Sequence, residues 1–197
     1  MRSRVRADLH YLARILGAIV KDREREQLNI RTSSPFGGSS KHRVKRMASQ
    51  FEVRIVWGDC DEQGIVFYPK YFYWMDSAFQ ALLRDAGHSV RAIRVGFGIV
   101  GIPIVEANAR FFSSATHEEI LRIEAEIQHW GETSLRAEYK GFCGDRPIFE
   151  GFEARVWLGR TSDGRPVAAS IPATFKNAFA AAGTAPSAAN HRQKIQK

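Results

Sequence analysis

The order of hydrophobic patterns along the chain predicts an α+β domain in which one long helix packs against an antiparallel sheet. The first pattern, from Phe51 to Trp57, alternates apolar and polar residues as a half-buried strand does. A helical pattern follows Pro69, and from residue 102 the period returns to two over four or five consecutive segments. One helix cannot cover both faces of such a sheet. We therefore expect a second copy of the chain to protect the other face or an edge.

The strand and the helix that open this domain are predicted from their apolar faces. The core-facing residues of the strand are predicted to be Phe51, Val53, Ile55 and Trp57. Pro69 suits the first turn of the helix, and Gly87 is expected to end it. The apolar stripe of the helix consists of Phe72, Met75, Phe79, Leu82 and Leu83.

The segments after residue 102 are bounded by glycine or proline, which commonly end strands. Strands are predicted over residues 102–112, 119–130, 133–142 and 148–158. Asp163-Gly164 predicts a turn ahead of a further short strand, and residues 172–182 a final helix. The segment between the long helix and residue 102 is expected to be a connecting loop.

The positive charge of the chain is confined to its N-terminal segment. The sequence has 29 Lys and Arg against 21 Asp and Glu, a net charge of +8. Residues 1–48 hold 12 basic and 4 acidic residues, so the remainder is neutral. We expect a basic extension over 1–48, partly helical or disordered, a single domain over 49–182, and a disordered tail over 183–197. A neutral domain argues against nucleic-acid binding by that domain, which relies on clustered Lys and Arg.

The basic extension has two possible interpretations. Apolar residues at helical spacing between Val5 and Val20 predict an amphipathic helix, and residues 32–42 have the composition of a flexible linker. Such a helix could bind a membrane surface, a nucleic acid or a partner. The extension could equally be a dispensable leader, because a complete domain pattern begins near Met47.

The apolar runs and the cysteines also indicate the cellular compartment of the protein. The chain has no run of 18 apolar residues, so no membrane span is expected. Its two cysteines, Cys60 and Cys143, have no paired spacing. We therefore expect a reducing, cytoplasmic location rather than a disulfide-stabilised secreted domain.

Groups capable of chemistry are concentrated between Gly58 and Pro69, where Asp59 and Asp61 flank Cys60. This loop leads into a helix N-terminus, whose unpaired N–H groups favour negative charge. One such group could hold an oxyanion while a carboxylate attacks the carbonyl carbon or activates water, an arrangement that suits acyl transfer or ester hydrolysis. The aspartates could instead be caps or turn formers. Two adjacent carboxylates disfavour a thiolate at Cys60.

Other chemistries lack the required spacing. The six histidines form no H-x-x-x-H pattern and the cysteines no C-x-x-C pattern, so no metal site is expected. Residues 96–101 match G-x-G-x-x-G, but they do not lie between a strand and a helix in a βαβ unit. No cofactor is expected.

Three motifs resemble the 4-hydroxybenzoyl-CoA thioesterase family of hotdog-fold proteins. They are Gly58-Asp59-Cys60-Asp61 with Gly64-Ile65-Val66-Phe67-Tyr68-Pro69, then Trp74-Met75-Asp76, then Gly98-Ile99-Val100-Gly101-Ile102-Pro103-Ile104-Val105. The resemblance covers about residues 50–178. It implies a hotdog fold, in which a curved antiparallel sheet of five to six strands wraps around a long central helix. It also implies an acyl-CoA substrate, a homodimer or homotetramer, and no cofactor.

The resemblance also implies roles for individual residues. Asp61 matches the catalytic carboxylate, which attacks the thioester carbonyl or activates water. The backbone N–H of Tyr68 matches the group that polarises this carbonyl, and Asp76 matches a position near the acyl pocket that could accept a hydrogen bond from a ring hydroxyl. The other implied substrate-binding positions, of which the last three close the pocket from the neighbouring subunit, are Gly64, Gly101, Ile102 and Pro103.

The chain departs from the family pattern where CoA is bound. Gly131-Glu132 and residues 167–169 stand where members acting on 4-hydroxybenzoyl-CoA have basic residues. Candidate CoA contacts here are Arg122, Lys140 and Arg165, although long basic side chains on strands are usually solvated. We expect an acyl-CoA thioesterase for an aromatic or similarly compact acyl group. The alternative is a non-catalytic acyl-CoA-binding module with the same fold.

Overall fold

One long helix and one antiparallel sheet dominate the structure, a computed structural model that describes residues 47–182 and 191–192. The predicted helix at residues 5–20, the linker at 32–42 and most of the tail lie outside these residues. The elements in chain order are β1 (Ala48–Arg54), α1 (Pro69–Asp85), α2 (Val90–Gly96), β2 (Ile104–Phe111), β3 (Ile120–Trp130), β4 (Ser134–Cys143), β5 (Arg146–Val156), β6 (Leu158–Arg160), β7 (Pro166–Ala168), α3 (Ala173–Ala182) and β8 (His191–Arg192).

The sheet has the strand order β2-β5-β4-β3-β1-β8. Its first five strands are antiparallel, and the two-residue β8 pairs in parallel with β1. Irregularities in the β2–β5, β3–β4 and β4–β5 pairings allow the strands to bend. This architecture confirms the predicted α+β fold with five to six strands. Within the described residues, β2 pairs on one side only and therefore forms an edge.

The core lies between α1 and the inner face of the sheet. On β3 the predicted alternation is confirmed, because Ile123, Ala125 and Ile127 are buried. The largest fully buried side chains that α1 contributes are Met75, Phe79, Leu82 and Leu83. A second aromatic cluster fixes α3, in which Phe175 lies 4.7 Å from Trp157 between ring centroids.

The outer face of the sheet carries alternating charges. Arg122 pairs with Glu124 at 2.7 Å, and the guanidinium of Arg136 lies 3.5 Å from the ring centroid of Phe152. Lys140 stands opposite Glu124 in the β3–β4 register. A charged face of this kind is compatible with water, so the surface most in need of protection is the edge strand β2.

Two local predictions were wrong. Trp57 is 73% exposed, because β1 ends at Arg54 and the chain enters a short 3-10 helix. The predicted loop after α1 contains helix α2, which is capped where the Ser89 hydroxyl accepts a hydrogen bond from Ala92 N–H at 3.1 Å. This helix has seven residues and buries only Ile93, so its sequence shows no periodic pattern of apolar residues from which a helix could be predicted.

Candidate active site

Asp61 lies at the base of a tight loop held by backbone hydrogen bonds. Its N–H donates to the carbonyl of Ile65 at 2.8 Å, and its carbonyl accepts from Gly64 N–H at 3.0 Å. Gly64 has a φ of +77°, a left-handed conformation that favours glycine. The Asp61 carboxylate accepts one hydrogen bond, from Gln63 N–H at 2.9 Å, and is half-buried. The backbone thus fixes this carboxylate while leaving acceptor capacity free.

Asp59 has a different environment, although it is only two residues away. Its side chain is buried, and Oδ2 accepts a hydrogen bond from Val56 N–H at 3.0 Å. Its other oxygen pairs with Lys70 Nζ at 2.8 Å, and its carbonyl accepts from Phe67 N–H at 2.9 Å. These contacts join the loop to the start of α1. They make Asp59 a structural residue and leave Asp61 as the available carboxylate.

The N-terminus of α1 follows this loop directly. The helix begins at Pro69, and Tyr68 is its N-cap residue, with no hydrogen bond from its side chain to the helix. Among the residues that the structure describes, no atom accepts a hydrogen bond from the Tyr68 N–H. The preceding N–H, of Phe67, is already bonded to Asp59. Tyr68 N–H is therefore a free donor at the positive end of the helix dipole.

Cys60 is less suited to nucleophilic chemistry than its position suggests. Partial burial and the carboxylates of Asp59 and Asp61 together raise the pKa of its thiol. At neutral pH the sulfur is therefore protonated to a greater degree than in an ordinary cysteine, and thiolate attack is disfavoured.

Asp76 lies further along α1, against a cavity of about 230 Å³. Gly101 and Ile102 of the same chain also line this cavity, whereas Pro103 is exposed and does not. The structure therefore brings together three of the predicted substrate-binding residues within one subunit. The apolar part of the lining consists of Phe79, Leu83, Val90, Ile93 and Ile102.

A buried ionic network holds the carboxylate of Asp76 in place. Arg155 Nη2 donates to Asp76 Oδ1 and to Glu153 Oε2, each at 2.6 Å, and the Tyr139 hydroxyl donates to Glu153 Oε2 at 2.7 Å. Gln80 Nε2 donates to the second oxygen of Asp76 at 2.8 Å. Burial lowers the pKa of Arg155, but Glu153 and the other groups outweigh this and raise it. Burial, followed by Glu153, raises the pKa of Tyr139 well above its usual value.

Glu153 and Arg155 were not predicted from the sequence as residues of the site. Both occupy core-facing positions of β5, where they are 1% and 5% exposed. The sequence feature that could have identified them is the placement of two opposite charges two positions apart, which puts both on the same face of a strand. Charged residues are seldom fully buried unless they are paired, so this spacing indicates an internal ion pair.

The Asp61 loop and the Asp76 cavity are separate within one chain. Asp61 does not line the cavity, and Asp76 follows Tyr68 by eight residues, or roughly 12 Å along the helix axis. The edge strand β2 contacts α1 at one of its ends. Phe111, at its end, contacts Tyr71 at 5.0 Å between ring centroids, whereas the residues before its start line the cavity.

Two of the three basic residues predicted to contact CoA form ion pairs with neighbouring carboxylates. Arg122 pairs with Glu124, and Arg165 with Asp163 at 2.6 Å, while Lys140 is exposed. Within the part of the chain that the structure describes, no three His, Cys, Asp or Glu side chains are grouped as metal ligands. None of the described helices is long and apolar enough to cross a membrane.

Comparisons with known proteins converge on one family. The sequence profile of the Thioesterase superfamily matches residues 63–149. The 4-hydroxybenzoyl-CoA thioesterase of Pseudomonas sp. (strain CBS-3) is 42% identical over 83 residues, which span 42% of this chain and 59% of that enzyme.

Solved structures extend the match over the whole domain. The structure of 4-hydroxybenzoyl-CoA thioesterase from the same strain superimposes with a TM-score of 0.61 at 32% identity, covering 68% of this chain and 99% of that one. A gentisyl-coenzyme A thioesterase gives a TM-score of 0.57 at 32% identity, with 67% and 99% coverage. These matches in sequence and structure establish that the chain belongs to the 4-hydroxybenzoyl-CoA thioesterase family of hotdog-fold thioester hydrolases.

Proposed function

We propose that this protein hydrolyses the CoA thioester of a compact aromatic acid, with Asp61 as the reacting carboxylate and the Tyr68 N–H as the oxyanion donor. One observation carries the proposal: a carboxylate with free acceptor capacity precedes, in one short loop, a free N–H at the start of a helix. The named substrates of two relatives, 4-hydroxybenzoyl-CoA and gentisyl-CoA, are both hydroxylated aromatic thioesters. They support the aromatic class for this chain.

The proposed reaction consumes one water. The carbonyl oxygen of the thioester accepts a hydrogen bond from the Tyr68 N–H, which stabilises the negative charge that develops there. Asp61 either removes a proton from the attacking water or attacks the carbonyl carbon to form an anhydride that water then opens. In both routes the C–S bond breaks, the CoA sulfur leaves as a thiolate that takes up a proton, and the free acid is released.

The acyl group then points along α1 towards Asp76. Two helical turns, roughly 12 Å, separate Tyr68 from Asp76, and a benzoyl group with one hydrogen bond at each end has a comparable length. The apolar lining of the cavity suits a ring.

We further propose that the site is completed in a homodimer or homotetramer. Within the described residues β2 pairs on one side only, and Ile104 and Phe111 on it and Phe112 just after it are exposed. These features support the assembly, because a second chain could pair with this edge or cover it. Both cysteines are free thiols, which supports a reducing, cytoplasmic location.

A panel of thioesters tests the activity. We expect release of CoA thiol from 4-hydroxybenzoyl-CoA and gentisyl-CoA by the full-length chain, and much slower release from long-chain acyl-CoA. Tight binding of the aromatic thioesters without any release would instead identify a non-catalytic acyl-CoA-binding module.

Refolding two variants together tests which chain supplies each residue of a site. Asp61→Asn chains, expected to be inactive, and Asp76→Ala chains, expected to be impaired, are unfolded together and refolded at equal ratio. Because the acyl group is proposed to run along a single α1, Asp61 and Asp76 of one site belong to the same chain, and we expect no activity beyond that of the Asp76→Ala chains. A gain in activity would show that the two residues come from different chains. Sedimentation of a single chain would contradict the proposed assembly.

A further inference from the structure

The 113–119 segment, which lies between β2 and β3, packs against the Asp61 loop. It contacts this loop at points before and after Asp61. The contacts are a hydrogen bond from Val66 N–H to the Ala115 carbonyl at 2.9 Å, an antiparallel bridge between Ile65 and Thr116, and a hydrogen bond between the Cys60 thiol and the backbone of His117. A displacement of this segment would therefore move the loop that carries Asp61.

The same segment is tied to the start of α1. A hydrogen bond joins the side chain of Tyr71 to the backbone of Ala115. Tyr71 is buried and packs against Phe149 with 5.3 Å between ring centroids, so its position is fixed by the core. Tyr71 lies in the first turn of α1, close behind Tyr68 in the chain. The segment thus connects both parts of the candidate site, the loop and the helix start.

One residue of the segment has an unfavourable backbone conformation. Glu118 has a φ of +72° and is the only non-glycine residue with positive φ in the part of the chain that the structure describes. A side chain with a Cβ atom disfavours this left-handed conformation, so the surrounding contacts have to maintain it. Glu118 N–H donates to the Ile55 carbonyl at 3.0 Å, and Ile55 N–H donates to the Glu119 carbonyl at 2.9 Å.

Two charged side chains, Glu119 and Arg146, close the segment on itself. Glu119 Oε2 accepts hydrogen bonds from the N–H of Thr116 at 2.7 Å and from its hydroxyl at 3.2 Å. Glu119 Oε1 accepts from Arg146 Nη2. Arg146 Nη1 donates to the Ser114 carbonyl and, at 3.2 Å, to the Ser113 hydroxyl. One guanidinium therefore holds both ends of the segment.

Arg146 reaches the segment from a well-supported part of the sheet. It is the first residue of β5 and pairs with Cys143 across the hairpin that joins β4 to β5. Within the described residues, β5 has a neighbouring strand on each side. The Ser113 hydroxyl donates to the carbonyl of Pro147, the next residue of β5, at 2.6 Å. The central strands thus provide a fixed reference for the segment.

The ion pair is suited to fixing local geometry. Partial burial raises the pKa of Glu119, but the hydrogen bonds from Arg146 and Thr116 together outweigh this and lower it below its usual value. The Arg146 and Glu119 side chains are 42% and 31% exposed, and ion pairs at such exposure contribute little to the free energy of unfolding. The forked contacts of the guanidinium instead give directional control over the backbone that it touches.

On the basis of the proposed function, we propose that Arg146 is a positioning residue for the hydrolysis. Through Glu119 it holds the 113–119 segment against the Asp61 loop. The position of this loop sets where the carboxylate lies relative to the Tyr68 N–H, and both groups have to meet one carbonyl. A misplacement of about 1 Å in such a geometry can cost roughly 10²-fold in rate. Arg146 acts only through the segment and contacts no reacting atom.

The first test compares Arg146→Met with the wild type in hydrolysis of 4-hydroxybenzoyl-CoA. We expect kcat to fall by about 10- to 100-fold with KM unchanged, because the substitution changes the placement of the reacting groups and not the binding of substrate. The midpoint of urea denaturation should stay close to that of the wild type. Arg146→Lys should have an intermediate kcat, since an ammonium keeps the charge but cannot reproduce the forked contacts.

Hydrogen exchange measured by mass spectrometry follows the loop without any substrate. In Arg146→Met, peptides covering residues 59–67 should exchange faster than in the wild type, because the contacts that hold the loop open more often. Peptides covering residues 123–130 of β3 should exchange at the wild-type rate.

Arg136→Met is the matched control. Arg136 is 35% exposed and also forms an ion pair, with Glu138 at 3.3 Å, but its partners Glu138 and Phe152 lie outside the 113–119 segment. This variant should keep both the wild-type kcat and the wild-type exchange of residues 59–67.

Two results with Arg146→Met would overturn the proposal. One is a wild-type kcat. The other is faster exchange throughout the domain, which would identify a general structural role. If Arg146→Met does not fold, Arg146→Lys decides, and wild-type kcat and exchange in that variant would overturn the proposal. If the wild type hydrolyses no aromatic thioester, the proposed function fails, and the exchange of residues 59–67 alone decides whether Arg146 positions the loop.

Discussion

The two ends of the candidate site are built in different ways. At the start of α1 the Asp61 loop is formed by backbone hydrogen bonds, and the groups proposed to react are a half-buried carboxylate and a main-chain N–H. Eight residues later, Asp76 is held by side chains, namely Gln80 and the buried Arg155 with Glu153. The first end presents the proposed reacting groups in a fixed loop. The second presents a charged subsite whose geometry depends on the core.

This difference has a consequence for substitutions. A change at Asp61 should alter chemistry with little effect on folding, since the backbone of the loop, rather than this side chain, holds the loop together. Changes at the Asp76 end should alter folding and substrate preference together, because Arg155 and Glu153 belong to the core.

The largest effect is expected at Asp61. Asp61→Asn removes the base or nucleophile and should lower kcat by roughly 10³-fold, within the range for general acid–base groups. The free energy of unfolding should change little.

The matched control is Asp59→Asn, which loses the pair with Lys70 and weakens the contact with Val56 N–H. It should destabilise the fold by about 1–3 kcal/mol and retain activity in the folded fraction. Activity and urea denaturation of both variants check the contrast, and the opposite pattern would contradict it.

A large effect on stability is expected at Arg155. Arg155→Met leaves Glu153 buried without its partner, which should cost about 3–5 kcal/mol of unfolding free energy. The double variant with Glu153→Gln should recover most of this loss, because no charge remains buried. Urea denaturation measures both. A loss in the double variant equal to that in the single variant would show that the ion pair is not the cause.

The smallest effect is expected at Cys60. Burial and the two adjacent carboxylates raise its pKa, so the thiolate fraction is lower in the folded protein than in the unfolded chain at any pH below that pKa. Alkylation by iodoacetamide should therefore rise at higher pH in the native protein than in urea. Cys60→Ser should keep kcat within about twofold. A native alkylation profile at lower pH than the denatured one would contradict this.

The fold could be predicted because its main elements carry clear periods. Alternation on β3 predicts the residues that the structure buries there, and four of the five residues in the predicted stripe of α1 are buried. Phe72 is only partly buried, and Tyr71 and Trp74, which the stripe did not include, are buried instead. Helix α2 could not be predicted, since it has seven residues and buries only Ile93. Trp57 was misplaced because alternation continues in the sequence after the backbone has left the strand.

The two ends of the site also differed in how far they could be predicted. Asp61 and Tyr68 lie in a local motif, so a loop before a helix N-terminus could be identified from consecutive residues. The partners of Asp76 are distant in sequence: Arg155 follows it by 79 positions and meets it only through the packing of β5 against α1. A contact of this kind leaves no local pattern beyond the two charges on the inner face of β5.

A single-turnover experiment with Asp61→Asn measures whether this carboxylate takes part in cleavage of the thioester. The variant, in excess over 4-hydroxybenzoyl-CoA, is mixed rapidly, and released CoA thiol is measured alongside binding. We predict that wild type releases one equivalent of thiol per thioester, whereas the variant binds the thioester and leaves it intact over the same time. Release by the variant at the wild-type rate would contradict the assignment of Asp61 as the reacting carboxylate.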